Sequence, residues 1–263
     1  MKSKIKMKTS NRIMSGGFTL IELLVVISII AVLMAIMMPA LSKVRQNAKK
    51  TLCGTNLHQI SLALFCYATD NDGKFWEGIP EFEVQSDPKR GQPTLISIYS
   101  MTEVMNYGYD TEVWWCPTDI GSAHYKYYYP ITQASIEDWA DDGNFNMSDG
   151  NSYSNQRFGL LPSSYTFWNV WGLDSKLRTE SVGKTTSEQV IVQDNVKSRP
   201  DDCFDNVNHW DKDNNRDNLY PRPPQYGEPQ GGNVVLGDGH VTWRKFEDMK
   251  MQYELDGVGK YYY

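Results

Sequence analysis

Gly16-Gly17-Phe18-Thr19-Leu20-Ile21-Glu22-Leu23-Leu24-Val25-Val26 opens an apolar run that continues to Met38. From Phe18 to Met38 there are 21 residues, and Glu22 is the one charged side chain among them. As a helix rising about 1.5 Å per residue, the run covers roughly 30 Å, one bilayer hydrocarbon core. The small residues Ser15-Gly16-Gly17 come before the run. A secretory signal peptide places its small-residue cleavage site after the apolar stretch. Cleavage at this position would instead leave the apolar helix on the product.

Working outward, Lys2, Lys4, Lys6, Lys8 and Arg12 make residues 1–17 basic, with no acid among them. The whole chain of 263 residues carries 26 basic and 32 acidic side chains, so the part after the leader is strongly acidic. A basic segment ahead of an apolar span stays cytoplasmic, which directs the acidic bulk outward. An acidic body lacks the positive surface that nucleic-acid binding needs. The chain is long enough for one or two domains with a substantial core.

The run from Gly16 to Val26 resembles the prepilin signal of type IV pilins and type II secretion pseudopilins. The resemblance implies cleavage between Gly17 and Phe18 by a prepilin peptidase, N-methylation of Phe18, and single-pass anchoring in a bacterial inner membrane. It implies an amino terminus that is cytoplasmic before processing and a carboxy-terminal domain that is periplasmic or extracellular. Glu22 then becomes the fifth residue of the mature chain and Pro39 the twenty-second, both in register with the family. A carboxylate within an apolar helix needs a partner. The family's filament arrangement supplies one, the terminal ammonium of an adjacent subunit; the alternative is a carboxylate that snorkels to the headgroups. Other pilin-like subunits, joined through the amino-terminal helix, are the implied partners.

Beyond Pro39 a helical stripe continues through Val44, Ala48, Leu52, Leu57, Ile60, Leu64 and Tyr67. Lys43, Arg45, Lys49 and Lys50 form a basic collar or a solvated face. Asp70-Asn71-Asp72-Gly73 is a turn cluster and sets the helix end near Thr69. Pro39 is a candidate kink. The predicted organisation is a leader (1–17), a transmembrane and filament-core helix (18–39), its amphipathic extension (40–72) and a β-rich globular domain (73–263). The fold class is α+β: a long amino-terminal helix packed on an antiparallel sheet with long loops.

Strands are expected at Glu112–Cys116, Ser164–Trp168, Gln189–Val192, Asn233–Leu236 and Val241–Lys245. Asp238-Gly239 supplies the positive backbone angles of a tight hairpin between the last two. Residues 137–157 and 201–232 read as loops or insertions. The segments around Cys53–Ile60, Trp115–Asp119, Ser163–Tyr165 and Gly232–Val241 resemble a prepilin-type group with a carboxy-terminal His…Asp-Gly motif. His58 stands where that group has arginine, and reads as a helix-surface residue. Glu228 stands where its histidine falls, and His209 is the nearest histidine upstream of Asp238.

Cys53 and Cys66 sit about 20 Å apart on one helix and cannot pair. A Cys116–Cys203 bridge is allowed in an oxidising compartment. No four-ligand zinc spacing is present. Asp211, Asp213, Asn215 and Asp217 alternate as calcium-loop ligands do, but Arg216 and Arg222 occupy the EF-hand glycine and glutamate positions, so an acidic solvated loop is preferred and no cofactor is required. Trp114, Trp115, Trp168, Trp171 and Trp210 could stack on sugars, although core packing is the simpler reading. No nucleophile elbow, metalloprotease, phosphate-loop or dinucleotide motif occurs. The expected function is thus a structural subunit without catalysis. The alternatives are a minor tip subunit or adhesin binding polysaccharide or an exported protein, and an anchored exported enzyme.

Overall fold

The computed structural model describes residues 19–77, 95–108, 111–117, 160–162, 164–168, 181–198, 204–207, 209, 229–255 and 259–263. They fall into two compact units that divide between Val44 and Arg45.

The first unit holds the beginning of helix α1, which spans Leu20–Asp70. Thr19 starts it with a capping box. The Glu22 backbone N–H donates to Thr19 Oγ1 (3.3 Å), while Glu22 Oε2 accepts from the Thr19 backbone N–H (2.9 Å) and hydroxyl (2.7 Å). This reciprocal pair satisfies donors that the first turn would otherwise leave open. From Leu20 to Met38 the apolar side chains are exposed all round, Leu20 by 88% and Val26 still by 44%. A helix apolar on every side must be covered by lipid or by other protein. Its length and composition suffice to cross a membrane. The helix runs on through Pro39, although the missing N–H there leaves one carbonyl of the preceding turn without its usual donor.

In the second unit α1 becomes one-sided. Cys53, Leu57, Ile60, Ala63, Leu64 and Ala68 are buried. The expected stripe holds from Leu57 onward but not before it, because Val44, Ala48 and Leu52 are exposed. Those three follow a strict spacing of four, which drifts away from the buried face that begins at Cys53. His58 is exposed, as read. Of the four basic residues, Lys50 places its ammonium 4.2 Å from the centre of the Trp243 ring.

α1 stops at Asp70, within a residue of expectation. Asp72 adopts a left-handed φ of 54°, and the Gly73 N–H donates to the Ala68 carbonyl at 2.7 Å. This is a Schellman ending whose left-handed residue is Asp72 rather than a glycine. Asp72→Gly removes the Cβ penalty there and is expected to stabilise the fold by about 0.5–1 kcal/mol, read as a higher midpoint in urea unfolding.

After α1 come strand β1 (Leu95–Ser97), helix α2 (Ile98–Met105) and a 3₁₀ turn at Thr111–Trp114. The strands that follow are β2 (Leu160–Pro162), β3 (Tyr165–Phe167), β4 (Val190–Asp194), β5 (Val196–Ser198) and β6 (Phe204–Val207). β7 (Gly231–Leu236), β8 (Val241–Lys245), β9 (Met251–Leu255) and β10 (Gly259–Tyr262) complete the chain. Among the described residues they make three antiparallel sheets, β1-β2, β3-β4-β7-β8 and β6-β5-β10-β9, rather than one.

The architecture is α+β, with α1 sharing its core with the β3-β4-β7-β8 sheet. Strand β4 is buried at every position, as a central strand covered on both faces should be. Trp76, Trp114 and Phe167 form the aromatic centre, with ring centres 5.6–5.8 Å apart in pairs.

Glu112–Cys116, expected as a strand, contains a 3₁₀ turn instead. Neighbouring Val113 and Trp114 are both buried, which an alternating strand with one wet face does not allow. The expected 201–232 loop contains β6 and the start of β7. Residues 137–157 lie outside the described residues. The β7-β8 hairpin forms as read, but positive φ is confined to Gly239 (85°); Asp238 instead accepts the His240 N–H at 2.9 Å.

Candidate functional site

Gly17 and Phe18 lie outside the described residues, as do Asp211, Asp213, Asn215 and Asp217. Glu22 stands in the first turn of α1, exposed, with its carboxylate turned onto Thr19. Of the tryptophans considered for sugar stacking, Trp114 and Trp168 are buried and Trp115 is half-buried against the core; Trp171 and Trp210 lie outside the described residues. Core packing accounts for the three that are described.

A second cluster lies inside the larger unit. Cys53 of α1 is bonded to Cys116, with Cα atoms 5.1 Å apart. Cys116 therefore has a partner other than the Cys203 considered from sequence. Cys66, on the opposite side of α1, is a free, exposed thiol. Asn56 donates to the Trp115 carbonyl at 3.1 Å and holds the Cys116 segment against the same helix.

Beside the bridge, His209 Nε2 is 3.9 Å from Cys116 Sγ and 3.0 Å from Asp194 Oδ2. Asp194 closes β4, and its Oδ2 also accepts from the Asn233 backbone N–H (2.7 Å) and side-chain amide (2.8 Å). The Asn233 amide further donates to the Lys50 carbonyl of α1 at 3.2 Å. Gly232 makes this closeness possible, because a Cβ at that position would lie 2.8 Å from Asp194 Cβ. His209 packs edge-on against Trp243, and its carbonyl accepts from the Gln230 N–H. Cys53, Cys116 and Asp194 have no exposed surface and His209 only 3%.

His209 thus pairs with Asp194, while Asp238 serves the hairpin turn. The one available signal for Cys53 was its phase: it shares a helix face with Leu57, Ile60 and Leu64, whereas Cys66 does not.

Residues 13–38 match the family described as the prokaryotic N-terminal methylation motif. Glu22 and the exposed apolar start of α1 lie within that match. This amino-terminal stretch is similar to that of type IV pilin-like proteins. Over 58 residues the chain is 38% identical to the ComG operon protein 3 homolog of Bacillus licheniformis, an alignment covering 22% of this chain. The alignment spans 60% of that relative's own length. No solved structure matches.

Proposed function

We propose that this pilin-like chain is a structural subunit, cut between Gly17 and Phe18, N-methylated on Phe18, and assembled through the first half of α1 into a pseudopilus or pilus. The observation that carries this reading is the motif at residues 13–38 lying on a helix whose apolar side chains are uncovered all round from Leu20 to Met38. Lipid covers such a surface before assembly, and sister helices cover it afterwards. In this reading the protein has no catalysis of its own. It is a substrate of prepilin peptidase, sits in the inner membrane, and carries its larger unit outward. Glu22 neutralises the terminal ammonium of a neighbouring Phe18.

Mass spectrometry of the chain purified from membranes tests the reading. The expected mature terminus is methylated Phe18. Gly17→Ala is expected to leave the precursor uncut in the membrane and to abolish assembly. Native protein that keeps residues 1–17, or lacks the whole apolar run, would refute processing at this bond.

A further inference from the structure

We propose that Cys53, Cys116, Asp194 and His209 form a zinc site when the Cys53–Cys116 bond is open, so that one buried pocket alternates between a disulfide and a Cys₂-His-Asp metal centre. Their donor atoms all lie within 4.8 Å of one another. Tetrahedral zinc, with bonds of about 2.3 Å to sulfur and about 2.0 Å to nitrogen or oxygen, places donors roughly 3.3–3.8 Å apart. The distances from His209 Nε2 to Asp194 Oδ2 (3.0 Å) and to Cys116 Sγ (3.9 Å) already bracket that spacing. The two sulfurs must separate, and any donor pair near the 4.8 Å limit must close by about 1 Å.

The arrangement also argues against a thiol–imidazole–carboxylate relay. A relay uses the two imidazole nitrogens for different partners. Here the carboxylate and the sulfur both converge on Nε2. With the oxygen and the sulfur both gathered beside Nε2, the donors are grouped as the ligands of one ion would be. The surrounding shell suits it too: Asn233 holds the Asp194 carboxylate with two hydrogen bonds, and Gln230 fixes the His209 backbone. Cys53, Cys116 and the Asp194–His209 stretch lie far apart along the chain, which is why no zinc spacing is visible in the sequence.

The chemistry balances with a dithiol reductant. It delivers two electrons and two protons to the Cys53–Cys116 bond, which breaks to give two thiols while the reductant closes its own disulfide. Zn²⁺ then displaces the two thiol protons and binds both Sγ atoms, Asp194 Oδ2 and His209 Nε2. The imidazole hydrogen moves from Nε2 to Nδ1. This site is independent of the amino-terminal helix and of the subunit reading.

The test uses the full chain in detergent, reduced under anaerobic conditions and titrated with Co²⁺, with far-ultraviolet circular dichroism recorded in parallel. The expected result is a single Co²⁺ per reduced chain, showing a thiolate-to-cobalt charge-transfer band and the intense visible bands of tetrahedral cobalt. Zn²⁺ should bleach these bands, and the oxidised chain should show none. His209→Gln and Asp194→Asn should each weaken cobalt binding by about tenfold or more while the dichroism is retained. If reduction melts the fold, cobalt should restore it. The proposal is overturned if reduced protein gives no charge-transfer band, if oxidised protein gives the same band, if both variants hold cobalt like the parent, or if a melted reduced chain stays melted with cobalt.

Discussion

Glu22→Gln is expected to be inserted and cleaved like the parent yet to fail in filament assembly, by about 100-fold or more at each subunit contact. Glutamine preserves the shape and can still accept from Thr19, so the start of α1 stays capped. What it cannot supply is charge. In the proposed filament the Phe18 ammonium would then be buried without an anion, and removing one partner of a buried pair costs about 3–5 kcal/mol. At 1.4 kcal/mol per factor of ten, that is roughly two to three and a half decades. Glu22→Ala also removes the acceptor of the Thr19 N–H and hydroxyl, one half of the capping box, and costs up to about 1 kcal/mol more in helix stability. Quantifying sheared filaments against membrane-bound subunit, with the mature terminus verified in both, separates the two contributions. Filaments from Glu22→Gln at parental yield would remove the carboxylate from the assembly mechanism.

The second large effect concerns the larger unit. Cys53→Ser or Cys116→Ser is expected to destabilise it by about 4 kcal/mol, a fall in Tm of roughly 10 °C. The two cysteines are 63 residues apart, and freeing a loop of that length restores much entropy to the unfolded chain. The double serine variant should cost little more than either single one, because the first substitution already opens the loop. Reduction of the parent in a strong chelator should match the serine variants. Reduction with zinc present should recover part of the loss, whereas the serine variants should not respond. A Tm within about 2 °C of the parent for either serine variant would mean that the bridge carries little of the stability.

Much of α1 was legible because its signals are local. An unbroken apolar run and an Asp-Asn-Asp-Gly terminator are both read within a short stretch of chain. The β7-β8 hairpin was legible for the same reason, and β8 runs over Val241–Lys245 as expected.

Tertiary demands hid the rest. Val113 and Trp114 have strand propensity, but adjacent burial on the way to Cys116 bends them into a 3₁₀ turn. β5 and β10 interleave Lys197 and Lys260 with buried Val196 and Tyr261, so their apolar content stays low although they pair in one sheet. The buried cluster was least visible of all. Cys53, Cys116, Asp194 and His209 follow no recognised ligand spacing, and Asp238, the acid that the motif set against His209, serves the hairpin turn while Asp194 takes the imidazole.

The link between Cys53 and Cys116 also decides how the larger unit answers a pull. Tension applied to α1 at its Arg45 end meets a covalent strut at Cys53 before it reaches Leu57, Ile60 or Leu64. The force passes into the segment at Cys116, and the last four turns of the helix are shielded from being peeled off their sheet. Oxidised, the unit should yield under load by breaking elsewhere; reduced, it should unzip from the helix inward, at much lower force.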